Sequence, residues 1–164
     1  MKFLAALGSQ VRDTRYFLMD VGIACEHFIL QAEELGIGGH VRFSGVTGRE
    51  NLDTLYAGSD LFAMLSRFDT FGMAALDAMA AALPVVLSGN VGAKDLVRDG
   101  VNGFVVGDPA DAKAVAERFG RLLDPGLRGR MGQEAFRTAA GQSWDEVARR
   151  QIEIYEELLG TGKT

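Results

Sequence analysis

Two aspartates, Asp69 and Asp77, lie on either side of a glycine in the stretch FDTFGMAALDAMAAALPVV, residues 68–86. The pattern predicts a helix over 72–82, and the first N–H groups of a helix have no intrahelical partner and lie at the positive end of its dipole. Gly72 and Met73 could therefore bind an anion such as a diphosphate. Asp77 lies about 7.5 Å further along the helix axis. Its carboxylate is suited to two neighbouring hydroxyls, as on a ribose.

Residue chemistry alone leaves a second interpretation of each aspartate open. The helix is apolar on nearly every side apart from Asp77, which is typical of a buried helix. A buried charge costs several kcal/mol unless it is paired or hydrogen-bonded, so Asp77 could instead be satisfied by backbone or by an arginine of a neighbouring helix. Asp69 precedes the first predicted turn and could be a helix-capping residue.

The elements that position these residues alternate along the chain. Short apolar runs predict strands at RYFLM, HVRFS, DLFAML, PVVLS and GFVV. Helical patterns predict helices over 1–10, 25–35, 49–57, 72–82 and 94–98, and then three C-terminal helices over 110–123, 127–140 and 145–159. This order predicts an α/β fold with a doubly wound, Rossmann-like parallel sheet in three layers. Ser66 and Asp69 follow DLFAML and therefore lie at the carboxyl edge of the sheet, where ligands bind.

Composition limits the classes of function. The 164 residues predict one domain, 1–164, with a frayed tail at 160–164. A net charge of -5 argues against a nucleic-acid partner, and the single cysteine, Cys25, excludes an internal disulfide and a cysteine metal cage. We expect no metal and no cofactor. No apolar run is long enough for a membrane span, and the sequence predicts a cytoplasmic protein, with the inner face of the membrane as an alternative location.

The run SRFDTFGMAALDAMAAALPVV, followed by GNVGAKDLVRDGVNGFVV, resembles the C-terminal, donor-binding domain of retaining glycosyltransferases of the two-domain GT-B type, the glycosyl transferases group 1 family. Members show a serine, a glutamate, F-G and a second glutamate eight positions after the first. A-M-A-x-G-x-P-V-V, a glycine loop and D-G-x-N-G follow. The resemblance extends from about Phe3 to the helix after Ser143 and Trp144, and it implies one half of a GT-B architecture.

The resemblance also implies a reaction and a set of site residues. The reaction would transfer a sugar from a nucleotide diphosphate to a glycan or lipid-linked acceptor, with retention of configuration, as in polysaccharide biosynthesis. Asp69 would be the catalytic residue and contact the hydroxyls of the donor sugar. The other donor-binding positions lie after three predicted strands or on the helix that follows the third: Gly22, Gly45, Val46, Thr47, Ser66, Phe71, Gly72, Met73, Ala74 and Asp77.

The sequence also departs from the family pattern. Asp69, Asp77 and Asp95 stand where glutamate is usual, and each loses one methylene, about 1.5 Å of reach. Ala82 replaces a usual glycine, and Leu65 replaces a common proline. These departures leave two alternatives to an active transferase domain, namely a non-catalytic nucleotide-sugar-binding module and a truncated, inactive remnant.

Two parts of the family architecture have no counterpart in the sequence. The first strand of the domain and the whole acceptor-binding domain would precede Phe3, so we expect the acceptor domain to come from a longer chain or a partner. The final helix would then expose an apolar face. An open sheet edge would invite pairing with another chain, so a homo-oligomer is a further expectation.

Overall fold

The computed structural model describes residues 16–18, 25–43 and 48–160. Five strands are present in this part of the chain: β1 Tyr16–Leu18, β2 Val41–Phe43, β3 Phe62–Met64, β4 Val85–Ser88 and β5 Gly103–Val106. Its α-helices are α1 Cys25–Glu34, α2 Arg49–Ala57, α3 Met73–Ala80, α4 Ala112–Arg121, α5 Pro125–Ala140 and α6 Trp144–Leu158. The predicted alternation of strands and helices is confirmed. The helix predicted over 1–10 and the tail residues 161–164 lie outside the described residues.

One predicted helix, 94–98, is wrong in type and position. A 3₁₀ helix, Gly92–Leu96, occupies this region and begins two residues earlier. The N–H groups of Gly92 and Ala93 donate to the carbonyls of Asp69 and Phe71, which fixes where this turn starts.

All strand pairs in the described residues are parallel. β1 pairs with β2, and β4 lies between β3 and β5. Within the described ranges these form a two-stranded and a three-stranded sheet, where the sequence predicted one continuous sheet. Because β3, β4 and β5 run in the same direction, the loops that follow them meet at one edge.

The three-stranded sheet is covered on both faces, as the uninterrupted apolar sequence of β4 predicts. Val86 packs with Phe104 of β5 and with Val115 and Phe119 of α4. Val85 and Leu87 belong to a second cluster with residues of α2 and α3. Helix α5 contributes to both clusters. This arrangement confirms the doubly wound, three-layer α/β fold.

The backbone at the end of α3 explains why the family usually has glycine where this chain has Ala82. The N–H of Leu83 donates to the carbonyl of Ala78 at 3.0 Å, and the N–H of Ala82 donates to the carbonyl of Met79 at 3.0 Å. These two bonds form a Schellman motif, whose C′ residue adopts the left-handed conformation and is usually glycine. Here that residue is Ala82, with φ +59°, and among the described residues it is the only non-glycine with positive φ. Gly132 of α5 packs directly against the Ala82 carbonyl.

The D-G-x-N-G segment, residues 99–103, connects the start of β5 to α5 through hydrogen bonds of Asn102. The Asn102 side chain is fully buried, accepts the N–H of Arg98 at 2.8 Å, and donates to the Leu96 carbonyl and to Thr138 Oγ1, both at 3.0 Å. A Cβ on Gly103 would lie 2.5 Å from the Val85 carbonyl oxygen. The motif therefore has a structural role in this chain.

Every residue of helix α6 is exposed except Glu146, which is half-buried. Its large apolar side chains include Trp144, 80% exposed, and Leu158, 78% exposed. Ion pairs that Glu146 forms with Arg149 and Arg150 support the polar side of the helix. The prediction that the final helix exposes apolar residues is confirmed. In the described part of the chain, no helix has the length and apolarity that crossing a membrane requires.

Candidate functional site

The site is built on two loops that are joined by backbone hydrogen bonds. The N–H of Asp69 donates to the Asn90 carbonyl at 3.1 Å, and the N–H of Gly92 donates to the Asp69 carbonyl at 3.2 Å. A third bond joins the Ala93 N–H to the Phe71 carbonyl. The segment after β3 is thus paired with the segment after β4, so the backbone of Asp69 is held at the carboxyl edge of the sheet.

Two glycines allow this close approach. A Cβ on Gly92 would collide with the Thr70 carbonyl oxygen, and a Cβ on Gly72 would lie 2.7 Å from Val91 Cγ1. Gly72 also has φ +90°, a conformation that side chains disfavour. Packing between the loops is therefore sufficient to explain Gly72, independently of any ligand.

Asp69 stabilises the loop and does not cap the helix. Its Oδ1 accepts the N–H of Phe71 at 3.1 Å, while the N-cap of α3 is Gly72, which has no side chain to cap with. The helix-capping interpretation of Asp69 is therefore wrong. The side chain is partly exposed, so its carboxylate remains accessible.

The N-terminus of α3 has free donors. The N–H of Ala75 already donates to the Gly72 carbonyl at 2.8 Å, but the N–H groups of Gly72, Met73 and Ala74 have no partner among the described residues. Phe71 is 39% exposed and Met73 is 51% exposed, so this end of the helix faces open space. Together with the helix dipole, these donors can bind an anion.

Asp77 is exposed, so the expectation of a wholly buried helix is wrong. Ala75, Ala78 and Met79 form the buried face of α3. Met73, Asp77 and Ala80 lie at i, i+4 and i+7 and form an exposed face. Asp77 therefore lies about 6 Å along the axis from Met73, on the same side of the helix as its free N-terminal donors.

A groove of about 320 Å³ lies beside Asp77. Its lining combines α2 and α3: Leu52, Asp53, Tyr56, Asp77, Ala80 and Ala81. The Tyr56 hydroxyl donates to the Ala74 carbonyl at 3.4 Å. Burial, followed by the charges of Asp77 and Asp53, raises the pKa of Tyr56 above its ordinary value. The Tyr56 hydroxyl therefore stays protonated, and Tyr56 lines the same groove as Asp53 and Asp77.

Sequence reasoning missed Asp53 and Tyr56. The predicted helix over 49–57 places them three residues apart, which is one face of a helix. That signal is too common to identify a site, and only the packing of α2 beside α3 brings them to Asp77.

The structure brings together six of the predicted site residues, Asp69, Phe71, Gly72, Met73, Ala74 and Asp77, in one loop and helix. Ser66 lies in the same loop, and its carbonyl accepts the hydroxyl of the buried Ser88 at 2.5 Å. Four predicted residues lie outside the described residues: Gly22, Gly45, Val46 and Thr47. Asp95 is exposed in the 3₁₀ helix. Within the described ranges, no three His, Cys, Asp or Glu side chains form a group that could hold a metal ion.

The fold and site define an α/β domain whose candidate ligand site lies at the carboxyl ends of parallel strands. The model of the family "Glycosyl transferases group 1" matches residues 5–138. The chain therefore belongs to the glycosyl transferases group 1 family, as its resemblance predicted.

Curated relatives agree with this assignment. The chain is 37% identical over 139 residues to the D-inositol 3-phosphate glycosyltransferase of Salinispora tropica, which covers 84% of this chain and 29% of that protein. It is 38% identical over 128 residues to the protein of the same name from Corynebacterium urealyticum, covering 77% and 30%. The chain thus spans about a third of the length of these relatives.

Solved structures support one half of a GT-B architecture. The sucrose-phosphate synthase of Thermosynechococcus elongatus shares the fold, with a TM-score of 0.80 over 98% of this chain and 42% of that one, at 24% identity. WaaG, a glycosyltransferase involved in lipopolysaccharide biosynthesis, matches with a TM-score of 0.79 at 25% identity, over 93% and 41%. Anabaena Alr3699/HepE, solved with UDP and glucose, matches at 0.75 and 26% identity, over 96% and 44%.

Proposed function

We propose that this chain is the donor-binding domain of a retaining glycosyltransferase and binds a nucleotide-diphosphate sugar along the exposed face of α3. One observation carries the proposal. The free N–H groups of Met73 and Ala74 and the carboxylate of Asp77 lie on the same side of one helix, about one turn apart. A diphosphate at the helix N-terminus would place its ribose hydroxyls beside Asp77.

The residues around this helix have separate roles in the proposed site. The dipole and free donors of α3 stabilise the negative charge that develops on the leaving diphosphate. Asp69, which the two paired loops hold in place, accepts hydrogen bonds from hydroxyls of the donor sugar. The family resemblance assigns Gly45, Val46 and Thr47 to the nucleobase and Gly22 to the donor cleft. Neither a metal nor a cofactor has a role in this proposal.

The substrates are proposed from the relatives. UDP is the first donor nucleotide to test, because a related structure was solved with UDP and glucose. D-inositol 3-phosphate is the first acceptor to test, because it appears in the names of the curated relatives. A glycan or lipid-linked acceptor remains the broader class.

The acceptor-binding part is proposed to lie in a second domain, because the curated relatives are about three times longer than the aligned region. The exposed apolar residues of α6 provide a surface for that domain. Pairing of two copies through an open sheet edge is a separate proposal about oligomeric state. We also propose a cytoplasmic location, where nucleotide sugars are available, with the inner face of the membrane as the alternative.

Calorimetric titration of the chain with UDP and with GDP tests the donor proposal. We expect saturable binding of one of these nucleotides. Asp77→Asn should weaken it by about 1.5 to 3 kcal/mol, the range for hydrogen bonds to charged groups.

Asp145→Asn is the matched control, because Asp145 is an exposed aspartate on α6 that does not line the groove. It should leave nucleotide affinity within about twofold, since its effect on a bound nucleotide is only a distant Coulombic one. Equal losses in the two variants would contradict a specific contact with Asp77. If neither nucleotide binds at millimolar concentration, the result favours the inactive remnant. If a nucleotide binds but the chain, joined to its acceptor domain, transfers no sugar, the result favours the non-catalytic binding module.

A further inference from the structure

One residue of the groove beside Asp77 has no role in the proposed donor contacts. Tyr56 lies on α2, packs in the same cluster as the buried residues of α3, and is only 7% exposed. Its ring contacts the Phe62 ring edge-on, with the two ring centroids 6.1 Å apart. Because a buried ring in a close-packed cluster cannot move freely, the Tyr56 hydroxyl has a fixed position at the wall of the groove.

The Tyr56 hydroxyl lies on the same side of α3 as Asp77. It donates to the Ala74 carbonyl at 3.4 Å, and a helical carbonyl points towards the residue four positions later, here Ala78. The hydroxyl is therefore level with the turn that carries Asp77. Ala74, Asp77 and Ala81 lie at i, i+3 and i+7 and share one side of the helix. Asp77 and Ala81 line the groove together with Tyr56.

The proton of the Tyr56 hydroxyl is available to a ligand. Its distance of 3.4 Å to the Ala74 carbonyl oxygen is long, since O–H···O hydrogen bonds are most often about 2.7–2.8 Å. Inside α3, this carbonyl has the Ala78 N–H as its helical partner. The hydroxyl can therefore turn its proton to a ligand without leaving the carbonyl unpaired. Burial, and then the charges of Asp77 and Asp53, raise the pKa of Tyr56, which keeps this proton in place.

The charge of the groove favours a neutral ligand group that carries hydroxyls. Asp53 and Asp77 are both carboxylates, and the described residues that line the groove include no lysine, arginine or histidine. A phosphate would be repelled here and attracted to the N-terminus of α3. A hydroxyl, in contrast, can donate to a carboxylate and accept from Tyr56 at the same time. The groove thus fits the ribose of a nucleotide better than its diphosphate.

We propose that Tyr56 is a specificity-determining residue of the donor site, whose hydroxyl donates to the oxygen of one ribose hydroxyl while that hydroxyl donates to Asp77. The two residues then bind the same hydroxyl from opposite sides in one chain of hydrogen bonds. A nucleotide without this hydroxyl loses both bonds, so the site selects ribonucleotides over deoxyribonucleotides. This inference rests on the proposed function, since it needs a ribose beside Asp77.

The test is a calorimetric titration of the whole chain with UDP, 2′-deoxy-UDP and 3′-deoxy-UDP, and with the three guanosine counterparts. We expect the ribonucleotide to bind about tenfold or more tightly than the deoxy form that lacks the contacted hydroxyl, as the loss of a hydrogen bond to a charged group implies. Tyr56→Phe should weaken ribonucleotide binding about fivefold, the effect of one neutral hydrogen bond. It should leave the affinity for that deoxy form unchanged.

This difference separates a ribose contact from a structural role. Loss of the bond to the Ala74 carbonyl could loosen α3, but a loosened helix would weaken all three nucleotides of a series equally. Tyr155→Phe is the matched control, because Tyr155 is an exposed tyrosine on α6 that does not line the groove. It should leave every affinity unchanged. Urea unfolding of the Tyr56→Phe protein checks that the domain is intact.

A double-mutant cycle tests the shared hydroxyl. Because Tyr56 and Asp77 act on one group, the combined Tyr56→Phe and Asp77→Asn variant should lose less affinity than the product of the two separate losses. Fully independent losses, equal weakening of all three nucleotides by Tyr56→Phe, or no preference for the ribonucleotide would each overturn the proposal. If UDP or GDP binds through Asp77 and Tyr56→Phe has no effect, this inference fails alone. If neither nucleotide binds, the inference and the proposed function fail together.

Discussion

Replacing Ala82 with glycine should stabilise the domain. Ala82 is the C′ residue of α3, and its φ of +59° places an L side chain in the left-handed region. This conformation costs a non-glycine residue about 1–2 kcal/mol. Glycine removes that strain, but it makes the unfolded chain more flexible, which costs about 0.4–1 kcal/mol. Because the Ala82 side chain is exposed, little apolar burial is lost. The net gain is about 0.5–1 kcal/mol in the free energy of unfolding.

Urea unfolding followed by circular dichroism measures this gain, and the melting temperature should rise by about 1–4 °C. Ala80→Gly provides the matched control. Ala80 is also exposed, but it is the last residue of α3 and has helical backbone, so the same change should destabilise by up to about 0.5–1 kcal/mol. Opposite signs for two identical changes two residues apart are the expected result. Destabilisation by both variants would refute the claim that Ala82 is strained.

Three further predictions concern contacts that stabilise the fold. Asn102→Ala should lower the free energy of unfolding by about 2–4 kcal/mol, because it leaves buried backbone groups without a partner. Urea titration measures this loss, with Asn51→Ala at an exposed position as the control. Gly92→Ala should cost about 1–3 kcal/mol in the same assay, since its methyl collides with the Thr70 carbonyl, and unchanged stability would show that the two loops are not closely packed. Glu146 has its pKa lowered to about 2 from 4.5, chiefly by its hydrogen bonds to Arg149 and Arg150. Its stabilisation of α6 is therefore present above about pH 4.5 and is lost as the pH falls towards 2. A peptide spanning 143–160 should lose helicity over this interval by circular dichroism, and a Glu146→Gln peptide that titrates identically would contradict the role of these pairs.

The secondary structure was largely predictable because apolar periodicity defines it. The helix predicted over 49–57 coincides with α2, and the apolar run at residues 84–88 contains β4. The 3₁₀ helix Gly92–Leu96 was misplaced because its start depends on hydrogen bonds to Asp69 and Phe71, more than twenty residues earlier in the chain. Such long-range pairing leaves no periodic pattern in the sequence.

The exposure of Asp77 could not be predicted from the composition of its helix. Alanine and methionine are compatible with both buried and exposed positions, so Met73 and Ala80 made the helix look apolar on every side while they form its open face. The family resemblance predicted a ligand-binding role for Asp77, whereas its apolar neighbours in the sequence predicted that it is buried. The groove with Asp53 and Tyr56 depends on how α2 packs beside α3, which is tertiary information.

A crystal structure of the chain with UDP tests the central claim most directly. We expect the diphosphate within hydrogen-bond distance of the N–H groups of Met73 and Ala74, and the ribose hydroxyls on the carboxylate of Asp77. UDP bound away from α3, or bound there with its ribose remote from Asp77, would contradict the account.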